Sequence, residues 1–90
     1  MNWYKRFVYA DLATDLQEVR DINTLKTKFH EYAPEHEIIQ EPDGAWDILN
    51  PDHSTLVDHE DRQQEESEVE SLRRAIILAI WRLRFRIKDR

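Results

Sequence analysis

The chain has 90 residues and no cysteine. Disulfides and thiolate metal sites are therefore excluded, and the composition suits a reducing compartment. There is one glycine, Gly44, so no glycine-rich phosphate loop can be built. Long apolar runs are also missing. The longest, Ala75 to Trp81, falls far short of the roughly twenty residues that a membrane-spanning helix needs. The opening MNWYKRFVY has no apolar core of the kind a signal peptide carries, so a cytoplasmic location is expected.

What is present is charge. Hydrophobic residues make up 40% and charged residues 36%, a balance that fits a soluble folded domain better than a disordered chain. The length fits one domain, residues 1–90, with a modest core. The net charge is −6, but it is unevenly spread. Residues 1–72 carry eighteen acids and six bases, whereas residues 73–90 carry seven bases and one acid. A basic tail on an acidic body either folds back on that body or leaves each surface for a partner of opposite charge.

The hydrophobic pattern predicts an α+β fold. Leu12, Leu16, Val19, Ile22, Leu25, Phe29 and Tyr32 recur at three- and four-residue steps, the mark of an amphipathic helical region over 11–33. A kink or restart capped by Asp21 is expected within it. Trp3 to Tyr9 suits a helix or a strand equally. Residues 36–58 read as a small antiparallel hairpin or three-stranded meander, with turns at Glu41-Pro42-Asp43-Gly44 and Asn50-Pro51-Asp52-His53-Ser54. Trp46 and Ile48 share one face and are expected in the core. A long helix is predicted over 61–88, because acids favour a helix N-terminus and bases its C-terminus. The alternation from Arg82 to Lys88 also fits a strand, but no turn separates it from the preceding apolar run.

That last helix has two apolar stripes. Val69, Leu72, Ile76, Ala79, Ile80, Leu83 and Ile87 line one side, and Ile77, Leu78, Trp81 and Phe85 lie roughly opposite. Starting near Arg62, it would be about 40 Å long, against a domain diameter of about 30 Å. Trp81 and Phe85 would then overhang as an exposed patch, which a homodimer would cover. Ile77, Trp81 and Phe85 are the expected anchors of a protein contact, framed by Arg82, Arg84 and Arg86.

Other chemistry finds little support. His30, His36, His53 and His59 lie among carboxylates, but no helical HxxxH pair occurs, so no metal site is expected. No nucleophile motif is present, and neither an enzyme nor a cofactor is expected. Arginines beside Trp81 and Phe85 have the ingredients for nucleic-acid binding, which is the alternative function. Their division between two seams of the helix counts against it. The same helix lying on a membrane surface, and the acidic body mimicking DNA, are the remaining readings.

Two segments, Asp43-Gly44-Ala45-Trp46-Asp47-Ile48 and Arg74-Ala75-Ile76-Ile77-Leu78-Ala79, carry a resemblance. In this order they resemble the small α-β-β-α sandwich domains of many bacteriophage proteins, which often show a Gly-X-Trp strand and a closing AI-x-x-A helix. The likeness spans roughly Leu25 to Leu83. The acidic stretch before the closing helix and the Arg-rich tail after it depart from the pattern. The resemblance implies a phage or prokaryotic origin and an accessory or inhibitory role toward a host protein, and it assigns no functional residues.

Overall fold

A computed structural model describes residues 16–88, with side chains through Arg84. Helix α1 spans Ile22–Tyr32, followed by strands β1 (Glu37–Gln40), β2 (Trp46–Leu49) and β3 (Thr55–Glu60) and helix α2 (Glu68–Lys88). The strands form one antiparallel meander in the order β1-β2-β3. The fold is therefore α+β, with two helices in the described region. The expectations for Trp3 to Tyr9 and for residues 11–15 lie outside the described residues. Leu16 and Gln17 are helical and the chain turns at Glu18, with Val19 N donating to Leu16 O at 3.2 Å, before the helix restarts as α1 at its Asp21 cap.

Local chemistry accounts for the element ends. The Asp21 carboxylate accepts from Thr24 N at 2.8 Å and from Thr24 Oγ1 at 2.8 Å, so α1 starts at the expected cap. These two bonds hold the Asp21 carboxyl below its ordinary range, the side-chain bond contributing most. The two hairpin turns are built alike. Gly44 N donates to Glu41 O at 2.9 Å, and His53 N donates to Asn50 O at 2.9 Å. Asp43 Oδ1 accepts from Ala45 N, and Asp52 Oδ1 from Ser54 N, both at 3.0 Å. The residue before each turn closes has positive φ, +96° at Gly44 and +71° at His53. Glycine takes this conformation without strain and histidine does not.

Helix α2 begins later than the charge pattern suggested, at Glu68 rather than near Asp61. The reason is a reciprocal cap. Glu70 N donates to Ser67 Oγ at 3.1 Å, and Ser67 N donates to Glu70 Oε1 at 2.9 Å. Ser67-Glu68-Val69-Glu70 is thus a capping box, and its bonds hold the Glu70 carboxyl below its ordinary range. The backbone stays helical through Lys88, so the strand-like alternation from Arg82 onward does not form a strand. With 21 residues, α2 is about 31 Å long, within the 36 Å long axis of the molecule. The later start makes α2 shorter than the roughly 40 Å expected of a helix beginning near Arg62.

The core lies between the sheet and the helices. Leu72, Ala75, Ile76, Ala79 and Ile80 of α2 are buried against Trp46, Ile48, Leu56 and Val57, with Leu25 and Phe29 of α1 in the same cluster. Trp46 and Ile48 are 1% and 0% exposed, as their shared face required. The indole Nε1 of Trp46 donates to Ser71 Oγ at 3.0 Å, and Ser71 Oγ donates to Glu68 O at 2.9 Å. A buried tryptophan needs such a partner, and this one sets the helix in register on the sheet.

Strand β3 breaks its ladder with β2 twice. At one break His59 has φ +47°, and its N–H donates to Asp47 Oδ1 at 2.6 Å. At the other, Leu56 O accepts from Arg82 Nη1 at 2.7 Å. In both places a side chain takes over a backbone bond.

Candidate functional site

The expected contact residues lie along α2, and the structure separates them. Ile77 and Trp81 are half-buried, and Ile77 and Leu78 pack part of their surface on the core. Arg82 turns toward the sheet to reach Leu56. The Arg84 guanidinium sits 5.4 Å from the centre of the Tyr32 ring, within cation–π range. The side chains of Phe85 and Arg86 lie outside the described residues.

The first arginines of α2 bind the protein itself. Arg73 donates from Nε to Leu16 O at 3.1 Å and from Nη2 to Val19 O at 2.5 Å, holding the start of the described chain. Arg74 donates to Glu60 Oε2 at 2.7 Å, to Asp61 O at 2.5 Å and to both oxygens of Glu66 at 3.0 and 3.3 Å. It gathers the end of β3 and the loop into α2. Its hydrogen bond is the main cause holding the Glu66 carboxyl below its ordinary range, and Glu66 in turn raises Arg74. Tail and body are thus joined through Arg73, Arg74 and Arg82.

Arg84 differs. A cleft of about 440 Å³ opens between the end of α1 and the later turns of α2. Tyr32, Ala33, Pro34 and Leu83 line it together with Glu35, His36 and Arg84. Arg84 Nε and both ring nitrogens of His36 are buried without a hydrogen-bond partner. Neighbouring groups fix the His36 region. The ring edge meets Phe29 at 6.2 Å between centroids and 78°, and His36 O accepts from His30 Nε2 at 3.0 Å. A buried polar group left unmatched costs about 1–3 kcal/mol, and native proteins hold few of them. These three atoms, in two residues that border the cleft, are the unmatched buried side-chain groups among the described residues.

A second cluster surrounds the turn between β1 and β2. His59 Nε2 lies 2.9 Å from Asp43 Oδ2 and 3.3 Å from Asp61 Oδ1. One ligand atom from each of these exposed residues falls within 4.8 Å of the others, a spacing that could hold a metal ion. The same contacts suit a protonated imidazole between two carboxylates. Asp43 is the largest cause raising His59 above its ordinary value, and Asp61, Glu41 and Asp47 act in the same direction. Glu41 is also raised, first by its hydrogen bond to the Asp47 side chain and then by the charge of Asp47. Asp47 itself is only 8% exposed.

Sequence reasoning missed this cluster and the His36–Arg84 cleft. The acids flanking His59 in the chain drew attention, whereas its shortest carboxylate contact is Asp43, across the meander. No local pattern marks His36 or Arg84 as partners. Comparison with models of known families, with curated proteins and with solved structures finds no match to this chain.

Proposed function

We propose that the protein is a non-enzymatic protein-binding module acting through the outer face of α2, in an accessory or inhibitory role of the kind small phage and prokaryotic proteins play. The observation that carries this reading is the half-buried row of Ile77, Leu78 and Trp81 on the side of α2 away from its fully buried stripe. Aromatic and arginine side chains beside such apolar positions are the usual anchors of protein contacts. A second copy of the chain is the simplest occupant, through a two-fold contact. Nucleic-acid binding is less well supported, since Arg73, Arg74 and Arg82 spend their donors on the protein's own backbone and carboxylates.

Light scattering on the purified chain and on Trp81→Glu tests the proposal. The expected result is a dimer that the substitution dissociates while circular dichroism stays unchanged. Association should also vary little between 50 and 200 mM salt, whereas a phosphate binder loses about 10³–10⁵ in affinity over that range. A monomeric wild type that binds duplex DNA with a steep salt dependence overturns the reading.

A further inference from the structure

Arg73 pins the start of the described chain at the border of the outer face of α2. Its Nε and Nη2 hold the carbonyls of Leu16 and Val19, and Leu16 belongs to the core cluster at 4% exposure. At about 100° per residue, Ile77 and Trp81 stand about 40° and 80° round the helix from Arg73. That is the side away from the buried stripe of Leu72, Ile76 and Ile80. Trp81 lies about 12 Å along the axis beyond Arg73. Fifteen residues precede Leu16, and a chain of that length reaches up to about 50 Å.

The composition of those fifteen residues calls for a seat. Nine are hydrophobic, and Trp3, Tyr4, Phe7 and Tyr9 are four of the nine aromatics in the chain. So much apolar surface on one short stretch is costly to leave in water. Ile77 and Leu78 keep part of their surface off the core, and Trp81 is half-buried, so α2 presents a matching row within reach. A tethered segment also meets its seat at an effective concentration that a separate molecule must exceed. We propose that residues 1–15 dock in cis on the outer face of α2, with their aromatic side chains against Ile77, Leu78 and Trp81, and so restrain the partner contact made there. The inference rests on the reading of that face as the contact surface: a partner, or a second copy, binds by displacing the segment.

The test uses the full chain. Because it has no cysteine, Asn2→Cys gives a single site for a nitroxide. At a dilution where the ¹⁵N-labelled chain is monomeric, the nitroxide should broaden the Trp81 indole N–H signal and the amides of Ile77 and Leu78. A mixture of nitroxide-bearing unlabelled chain with nitroxide-free ¹⁵N chain should show no such broadening. Trp3→Ser with Phe7→Ser should release the face and tighten self-association by about tenfold, the gain from removing a competing closed state. If that double variant does not fold, the nitroxide pattern on the wild-type aromatics still decides. Broadening at Ile39 and Leu49 of the sheet instead, broadening only in the mixture, or a dimer no tighter in the double variant overturns the inference. The two ideas fail separately. A dimer lost on Trp81→Glu, with the α2 signals untouched by the nitroxide, leaves the function standing and removes the docked segment. A chain that stays monomeric at every concentration, yet broadens at α2, keeps the docked segment and removes the contact between copies.

Discussion

The two halves of α2 do different work. From Ser67 to Ile76 nearly every side chain is committed to the protein. Ser67 and Glu70 cap the helix, Ser71 holds Trp46, Arg74 gathers the preceding loop, and Leu72, Ala75 and Ile76 are fully buried. From Ile77 to Arg84 commitment is divided: Ala79 and Ile80 stay buried and Arg82 reaches Leu56 O, but the opposite face loosens. Ile77, Leu78, Trp81 and Leu83 are half-buried, and Arg84 leaves a donor unmatched. The contrast teaches that residue type alone does not mark a contact surface. Arg74 and Arg84 are the same residue on one helix, and their neighbours decide whether the guanidinium ties down a loop through carboxylates or packs on a tyrosine ring.

The sharpest way to break this comparison is truncation. Ile76→Ala should cost about 2–5 kcal/mol, the range for emptying a packed core site. Leu83→Ala should cost less than half as much, because Leu83 is only partly buried against that core. Urea unfolding of the two variants checks it, and equal losses would erase the distinction between the halves. A smaller effect is expected at Ser71→Ala. It removes the acceptor for the buried Trp46 Nε1, and stranding that donor should cost about 1–3 kcal/mol. Trp46→Phe in the same background should recover part of the loss.

The smallest effect is a pH dependence. Glu66 is depressed chiefly by its bond to Arg74. Its contribution is fully present above the ordinary glutamate value of about 4.3 and is lost as pH falls through the lower value of the folded state. Wild type and Arg74→Gln should therefore converge in melting temperature as pH drops through that window. His59 has the opposite sign. Its value is raised, with Asp43 the largest cause, so its contribution is complete below about 6.5 and disappears as pH climbs through the raised value. His59→Gln should close its gap to wild type on the alkaline side, where the Glu66 contribution does not change.

Much of this framework was legible from local signals. Asp21 with Thr24 announced the start of α1, and the proline and glycine of Glu41-Pro42-Asp43-Gly44 announced the first turn. Trp46 and Ile48 declared the inner face of the sheet by alternation. The capping box at Ser67 was legible too, but the acids before it gave a competing dipole signal that pushed the expected start toward Asp61. Those acids lie in the loop that Arg74 gathers, a role that depends on where β3 ends. The ladder breaks, the Arg82–Leu56 bond and the His36–Arg84 cleft left no trace in the pattern. Each depends on a backbone group or ring freed by tertiary packing, and residues far apart in the chain meet there.

The interrupted ladder of β3 has one more consequence. A straight border strand offers evenly spaced donors and acceptors on which a stray chain can template itself, the first step toward fibrils. Here one border kinks at both breaks, while the opposite one, β1, is four residues long with Glu37 and Gln40 at its ends. Among the described residues, neither rim offers a long flat zipper. Crowded expression should therefore favour the folded chain over amyloid.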